Sequence, residues 1–445
     1  MKFCWRLIYQ ILYLLSIPYL AYQEKTKHFK SLSFKLWLKN KLGFSNFPNY
    51  QSQSRIWVHG VSMGEINTGI LFIKKWLDIN PNHQIVFTTH TRTGRDSAIA
   101  FANNSTYKSK ILVELAPFDL TSSVNNFIEQ HKFMALILIE SDLWPATSWV
   151  CNKRELPIYI INARMSPKTE SKIQKFKKIG IQNLWDKPNL IIAQNPDQAI
   201  MWQQIGSKVV IGGQLKYDLE VPVNQIKLGD KFIKYLKQNS NKKVLLFAST
   251  REGEELIALK IWKALGIDFR KNFNLVIVPR HLSRVNQIVN LIKDFNGQNF
   301  QSQLRSSMND EFYQDQNIWI GDSLAEMFAY YQLADLVVIG GSLLSYGGQN
   351  PIEAFAIGVP LIFGPYTYNF TQVREEAIIN NAAFGIDEKD NLIAKAVNLI
   401  ITISQDEKIQ KNMIENQKKL IFKNQGSISK TIEILQKENF FTRVG

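Results

Sequence analysis

From Arg55 onward the chain repeats one rhythm: a short apolar run, then a longer stretch with apolar residues at helical spacing. The runs predicted as strands are Arg55–His59, Gln84–Thr88, Lys110–Leu115, Met134–Ile139, Ile158–Ile161 and Leu190–Ala193. That alternation predicts parallel strands joined by crossover helices. Asp119 stands ahead of a helix over Leu120–Gln130, and Pro145 opens another just after Trp144. Around Glu220–Gly229 the rhythm lapses into Val-Pro-Val-Asn and a polar stretch. It then restarts with Val244–Ala248, Leu275–Val278, Ile318–Ile320, Leu336–Ile339 and Leu361–Phe363. A chain of 445 residues needs more than one core, since domains run to roughly 100 to 200 residues. The expected organisation is an anchor over 1–30, one doubly wound α/β domain over 31–220, and a second over 221–445 that includes the terminal helices. The two halves are expected to face each other across a cleft. In such sheets ligands sit beyond the carboxyl ends of the strands, so chemistry is to be sought in the loops that follow them.

The balance of 53 basic against 38 acidic residues, formally +15, predicts a surface that attracts phospholipid, nucleic acid or a phosphorylated substrate. No nucleic-acid-binding motif accompanies it, so no nucleic-acid partner is expected. Cys4 and Cys151 offer no disulfide framework, which places the body in a reducing compartment, the cytoplasm. The six histidines form no close-spaced ligand cluster and no Asp-x-Asp occurs, so no metal and no cofactor is expected.

Phe3–Tyr22 is largely apolar, but Arg6, Gln10 and Pro18 interrupt it, and it barely reaches the ~20 residues a spanning helix needs. A shallow anchor and a single-pass anchor both fit, with a buried N-terminal core helix as the alternative. Lys25, Lys27, Lys30, Lys35, Lys39 and Lys41 follow; positive flanks stay cytoplasmic and pair with anionic headgroups.

Several strand-end loops carry chemistry. His59-Gly60-Val61-Ser62-Met63-Gly64-Glu65 puts a carboxylate at a helix start, where Glu65 is either a general base or a partner of the helix dipole. Ile139-Glu140-Ser141-Asp142-Leu143-Trp144-Pro145 puts two carboxylates after an apolar strand; Asp142 could be a surface N-cap, which leaves Glu140 unexplained. Arg164 and Lys216 follow later strands and suit either an anionic ligand or a salt bridge. In the second half, Ala248–Glu255 joins a strand to a helix whose amides could hold a phosphate. Val278-Pro279-Arg280-His281 adds a cation, and Gly347-Gly348-Gln349-Asn350-Pro351-Ile352-Glu353 runs from glycines into a helix with Glu353 one turn inside.

In this order and spacing these loops resemble the 3-deoxy-D-manno-oct-2-ulosonic acid (Kdo) transferases of lipopolysaccharide synthesis. Besides the segments quoted, Thr88–Gly94, Pro117–Leu120, Asn162–Ser166, Gly213–Asp218, Gly321–Glu326, Ala334–Ser342 and Gly364–Phe370 carry the likeness, from about residue 55 to 370. The resemblance implies a GT-B fold, an inverting metal-independent mechanism, CMP-Kdo as donor co-substrate, and a phosphorylated lipid A precursor (lipid IVA) as acceptor. It implies attachment to an anionic inner membrane with the body on the cytoplasmic side. By motif, Glu65 is the implied base, and Glu140 and Lys216 the implied transition-state stabilisers. Pro279, Arg280, Leu324, Ala325, Glu326, Asn350, Pro351, Ile352 and Glu353 are the implied CMP contacts. Met63, Tyr346 and Gln349 stand where the family commonly has Val, Arg and His. Another GT-B enzyme, either a different glycosyltransferase or an epimerase, is the rival; a non-catalytic membrane-bound binding protein is the rival from another class.

Overall fold

Two seven-stranded sheets organise the chain, one in each of two units. The computed structural model describes residues 2–27, 33–44, 54–140, 143–165, 170–171, 175, 184–239, 241–295, 300–307, 318–387 and 390–438. In the first unit the strands are β1 (Arg55–His59), β2 (Gln84–Thr89), β3 (Ile111–Leu115), β4 (Phe133–Ile139), β5 (Ile158–Ala163), β6 (Leu190–Ala193) and β7 (Val209–Ile211), in the order β3-β2-β1-β4-β5-β6-β7. Every pairing in it is parallel. A parallel strand is covered on both faces, so it is apolar throughout. In β1, Ile56 and Val58 join a core with Phe72 and Trp76 on one face, and Trp57 joins Phe127 and Phe133 on the other.

The second unit carries β8 (Lys243–Thr250), β9 (Phe273–Pro279), β10 (Ser302–Leu304), β11 (Ile318–Ile320), β12 (Leu336–Ile339), β13 (Leu361–Phe363) and β14 (Phe384–Gly385). Their order is β10-β11-β9-β8-β12-β13-β14, again parallel. Each sheet therefore has a point where strand order reverses, between β1 and β4 in one and between β8 and β12 in the other. Loops that leave neighbouring strands at such a point diverge to opposite faces and leave room for a ligand.

Each longer apolar run forms the strand expected of it. β7, β10 and β14, two or three residues each, are too short to show a period in the sequence. The C-terminus departs from expectation: the units divide at Asp218/Leu219, and Gly426–Gly445 belongs to the first. The helix Ser427–Lys437 buries Ile428, Ile432 and Leu435 in the first unit's core. Asp218 accepts the Gly426 and Ile428 N–H groups, each at 2.5 Å, and so caps that helix from far away in sequence.

Asp119 also departs from its expected place. The helix Thr121–His131 has Leu120 as its N-cap residue, which supplies no side-chain bond, and Asp119 does not supply one either. The Asp119 carboxylate turns instead to the helix Pro145–Lys153, accepting Ala146 N–H at 3.0 Å, Thr147 N–H at 2.8 Å and the Thr147 hydroxyl at 2.7 Å. Lys41, grouped in the sequence with headgroup-facing lysines, is fully buried; its ammonium lies over the Phe118 ring and 3.4 Å from His90 Nδ1. Lys30, Ser141 and Asp142 lie outside the described residues, as do the side chains of Lys25 and Lys27.

Candidate active site

In the first unit, Ser62 opens the helix Met63–Ile79. Its Oγ accepts the Glu65 N–H at 3.2 Å and donates to Glu65 Oε1 at 2.9 Å, while Val61 N–H donates to Oε2 at 2.7 Å. This is the reciprocal box that Ser-x-x-Glu forms at a helix start. It satisfies orphan amides, and it also fixes the direction of a half-buried carboxylate. Gly60 makes room for it, since a Cβ there would stand 3.2 Å from Glu65 Cβ.

Across the reversal point, Glu140 leaves β4 at φ +69°. Lys216, in the short 3₁₀ turn Leu215–Asp218, donates to Glu140 Oε1 at 2.8 Å, and both side chains are largely enclosed, at 13% and 19% exposure for Glu140 and Lys216. Two residues far apart in sequence thus form one ion pair at the carboxyl edge of the sheet. The buried Asn162, at φ +52°, ties them together: its Nδ2 donates to Glu140 Oε1 at 3.4 Å and its Oδ1 accepts Leu215 N–H at 3.1 Å. Gln194 holds Asn162 in turn, through its carbonyl at 3.0 Å. Non-glycine residues with positive φ are costly and collect where a side chain must be aimed; the sequence offered no signal of that conformation beyond Asn's tolerance for it.

In the second unit, the segment expected to hold a phosphate also carries two structural carboxylates. The buried Glu254 carboxylate accepts the N–H groups of Arg251, Gly341 and Leu343 at 2.7, 2.6 and 2.9 Å. Burial pushes this carboxyl up, and the same amides hold it down. Glu255 pairs with Arg284 through both guanidinium nitrogens, at 2.7 and 2.9 Å. Glu254 braces the loops after β8 and β12, Glu255 ties the end of β8 to the segment after β9, and neither was singled out from sequence.

At the ends of β9, β11 and β12 stand the remaining expected contacts. Pro279 closes β9, and the exposed Arg280 follows it with its N–H held by Thr250 O at 2.9 Å. Glu353 is the second residue of the helix Ile352–Ile357, with Pro351 preceding that helix, a position earlier than the full turn expected. Asn350 Nδ2 donates to Glu353 Oε1 at 3.3 Å and Asn350 Oδ1 accepts Ile352 N–H at 3.1 Å. Burial raises the Glu353 carboxyl, opposed by Asn350 and by the field of Arg280. Leu324 projects into solvent and Ala325 has φ +59°. Glu326 pairs with Arg305 at 3.3 Å, so its carboxylate already has a cation. Tyr346, where the family commonly has Arg, lies under the Arg251 guanidinium, 4.9 Å from carbon to ring centre. The glycine loop is pinned to the β12 loop by Gly348 N–H to Gly341 O at 2.7 Å, and a Cβ at Gly347, φ +88°, would meet Asn369 Nδ2 at 2.4 Å.

The family model described as 3-deoxy-D-manno-octulosonic-acid transferase matches residues 37–219, and that of the group 1 glycosyl transferases matches residues 230–420. A 3-deoxy-D-manno-octulosonic acid transferase of Rickettsia typhi is 30% identical over 350 residues, which cover 77% of this chain and 71% of the relative. The chain belongs to the Kdo transferase family. A Kdo transferase of Haemophilus influenzae is 27% identical over 97% of this chain and 98% of its own length. A solved glycosyltransferase from Rickettsia africae superposes with a TM-score of 0.53 over 87% of this chain and 99% of its own, at 14% identity, a likeness of fold alone. The chain is a glycosyltransferase of GT-B fold.

In this Kdo transferase the fold brings Glu140 and Lys216 into contact. It places Glu65 in the first turn of the helix that follows β1, the strand next to β4 in the sheet. The nucleotide-contact residues named from sequence stand at the carboxyl edge of the second sheet, Pro279 as the last residue of β9, Ile352 and Glu353 at the start of a helix and the others on loops. Among the described residues, no group of three or more His, Cys, Asp or Glu is placed to hold a metal ion.

The first unit encloses two histidines, the buried His59 at the end of β1 and the partly buried His90 just after β2. His59 Nδ1 lies 2.8 Å from Thr88 Oγ1, which also accepts Trp57 Nε1–H at 2.7 Å, and the His90 ring stands 5.2 Å from that of His59. Burial, then the Lys41 charge, lowers His59 to about 4, and burial holds His90 well below its usual value. Both are neutral when folded but take a proton in the unfolded chain below about pH 6.5. The unfolded state then binds more protons, so stability is full above that pH and falls as pH drops toward 4. Melting curves between pH 7 and 4.5 are expected to show a steeper loss for the wild type than for His59→Gln. Equal slopes would remove His59 from this account.

Proposed function

We propose that this enzyme transfers Kdo from CMP-Kdo to a phosphorylated lipid A precursor, lipid IVA, in lipopolysaccharide synthesis, with inversion and without a metal ion. The observation that carries this reading is the enclosed Glu140–Lys216 pair, at 2.8 Å, in the same unit as a carboxylate held at a helix start. Glu65 takes the proton of the acceptor hydroxyl. The oxygen attacks the anomeric carbon of Kdo, the carbon–oxygen bond to phosphate breaks, and CMP leaves with the electron pair. The sugar between them is oxocarbenium-like. Lys216, oriented by Glu140, offers positive charge to the transition state, the kind of fixed field that speeds such a step most; Arg280, in the second unit, suits the CMP phosphate. The first unit takes the acceptor and the second the nucleotide. Asn350 and Glu353 suit ribose hydroxyls, the exposed Leu324 suits the pyrimidine face, and the Leu324–Glu326 backbone suits the rest of CMP.

Incubation with CMP-Kdo and lipid IVA tests the reading: CMP is expected only when both are present. Release with a UDP-sugar in place of CMP-Kdo would favour a different glycosyltransferase. For the nucleotide site, Arg280→Ala and Glu353→Ala are each expected to weaken CMP binding by about 1.5 to 3 kcal/mol, the usual loss of a charged hydrogen bond. Calorimetry returning wild-type affinity for both variants would refute that placement. The acceptor is a lipid, so the enzyme works at a bilayer. The basic residues after the N-terminal helix support a reading in which its body sits on the cytoplasmic side of the inner membrane.

A further inference from the structure

The N-terminal helix Lys2–Lys27 is docked along its length. Arg6 pairs with the buried Asp186 at 2.5 Å and lies over the Trp149 ring. Tyr9 donates to Asp119 at 2.7 Å, and Gln10 Oε1 accepts Thr121 N–H at 2.9 Å. Tyr13, Ile17 and Ala21 pack on Trp37, Phe118 and Leu120. These positions recur three or four apart, so they form one stripe of a helix. The opposite stripe is bare: Ile8 is 43% exposed, Leu15 71% and Tyr22 68%, with Ile11, Leu12 and Tyr19 beside them. Cys4–Gln23 is long and apolar enough to cross a membrane. Yet a helix with contacts from Arg6 to Ala21, roughly 22 Å at 1.5 Å per residue, could cross only by taking the charged surface beneath it into the lipid or by abandoning Asp119 and Asp186.

We propose that this helix lies flat in one leaflet of an anionic bilayer, its bare stripe among the acyl chains, and never crosses. Asp119 and Asp186 are the polar anchors that hold it to the body. The choice of lipid over a second copy of the chain follows from the flank: the neighbouring helix Phe34–Lys41 exposes Phe34 together with Lys35 and Lys39, an apolar edge beside cations, which is the pattern of a membrane-surface helix. The proposal builds on the membrane reading above and is independent of donor and transfer chemistry.

Nitroxide labels at Ile8→Cys, Leu15→Cys and Tyr22→Cys, in a Cys4→Ser background, test it. Cys151 is buried and does not compete. The full chain is placed on vesicles of equimolar phosphatidylglycerol and phosphatidylcholine, without donor or acceptor, and label depth is read from collision with oxygen and with a water-soluble nickel complex. A flat helix gives three equal, shallow depths. Depths that differ by about 21 Å between positions 8 and 22, the length of that segment, would overturn the proposal in favour of a spanning helix. Labels shielded from both reagents in a sedimenting dimer would overturn it in favour of a second copy. Because these positions are exposed, the variants should retain CMP binding, which checks their fold.

Discussion

Glu65→Gln is expected to slow Kdo transfer by about 10² to 10⁴, the usual worth of a positioned base, with melting temperature and CMP affinity unchanged. The geometry makes this substitution discriminating. Glu65 has two jobs, since its carboxylate closes a capping box with Ser62 and Val61 while also being the candidate base. Glutamine can close the same box but takes no proton. Glu65→Ala loses both, and is expected to destabilise the protein by about 0.5 to 2 kcal/mol, as lost helix caps do. A glutamine variant with near-normal turnover would leave Glu65 with the capping role only and sink the base assignment.

Lys216→Met is expected to have the other large effect, on both stability and rate. It leaves the Glu140 carboxylate, 13% exposed, with the Asn162 amide at 3.4 Å but without its cation. Breaking a fully buried pair costs about 3 to 5 kcal/mol; with 19% and 13% of the two side chains in solvent, the lower end or below is expected. Turnover should fall by about 10² to 10³, the range for a lost electrostatic stabiliser. Adding Glu140→Gln removes the orphaned charge, so the double variant should regain most of the stability, because removal of both partners is nearly neutral. It should regain none of the rate. Recovery of transfer along with stability would make the pair a structural strut and not part of the chemistry.

The two-sheet architecture was legible because buried parallel strands are apolar at every position, so runs such as Ile56–Val58 and Leu136–Ile139 stand out against helical spacing on either side. The loops that bear Glu65, Glu140, Lys216 and Arg280 were legible for a related reason: polar residues directly after such runs are costly unless used or paired. What they pair with was not, because a side chain's partner depends on which strands become neighbours. Glu140, after β4, meets Lys216, after β7, only because β4, β5, β6 and β7 lie side by side and carry their loops to one edge. Asn162 looks like any polar loop residue until its positive φ and its two hydrogen bonds are seen. Glu254 stood in the sequence only as part of a segment leading into a helix, and what its carboxylate does, filling the amides of a loop from another strand, appears only in the fold. Local composition also misassigned Lys41 to the membrane, Asp119 to the wrong helix, and Ser427–Lys437 to the second domain. By itself the sequence determined which of the longer segments are strands and helices and which loops carry charge, since these follow from period and polarity along the chain. Tertiary structure alone decided which charges are neutralised internally and which remain for substrate, because that is settled by contacts between segments that no local pattern encodes.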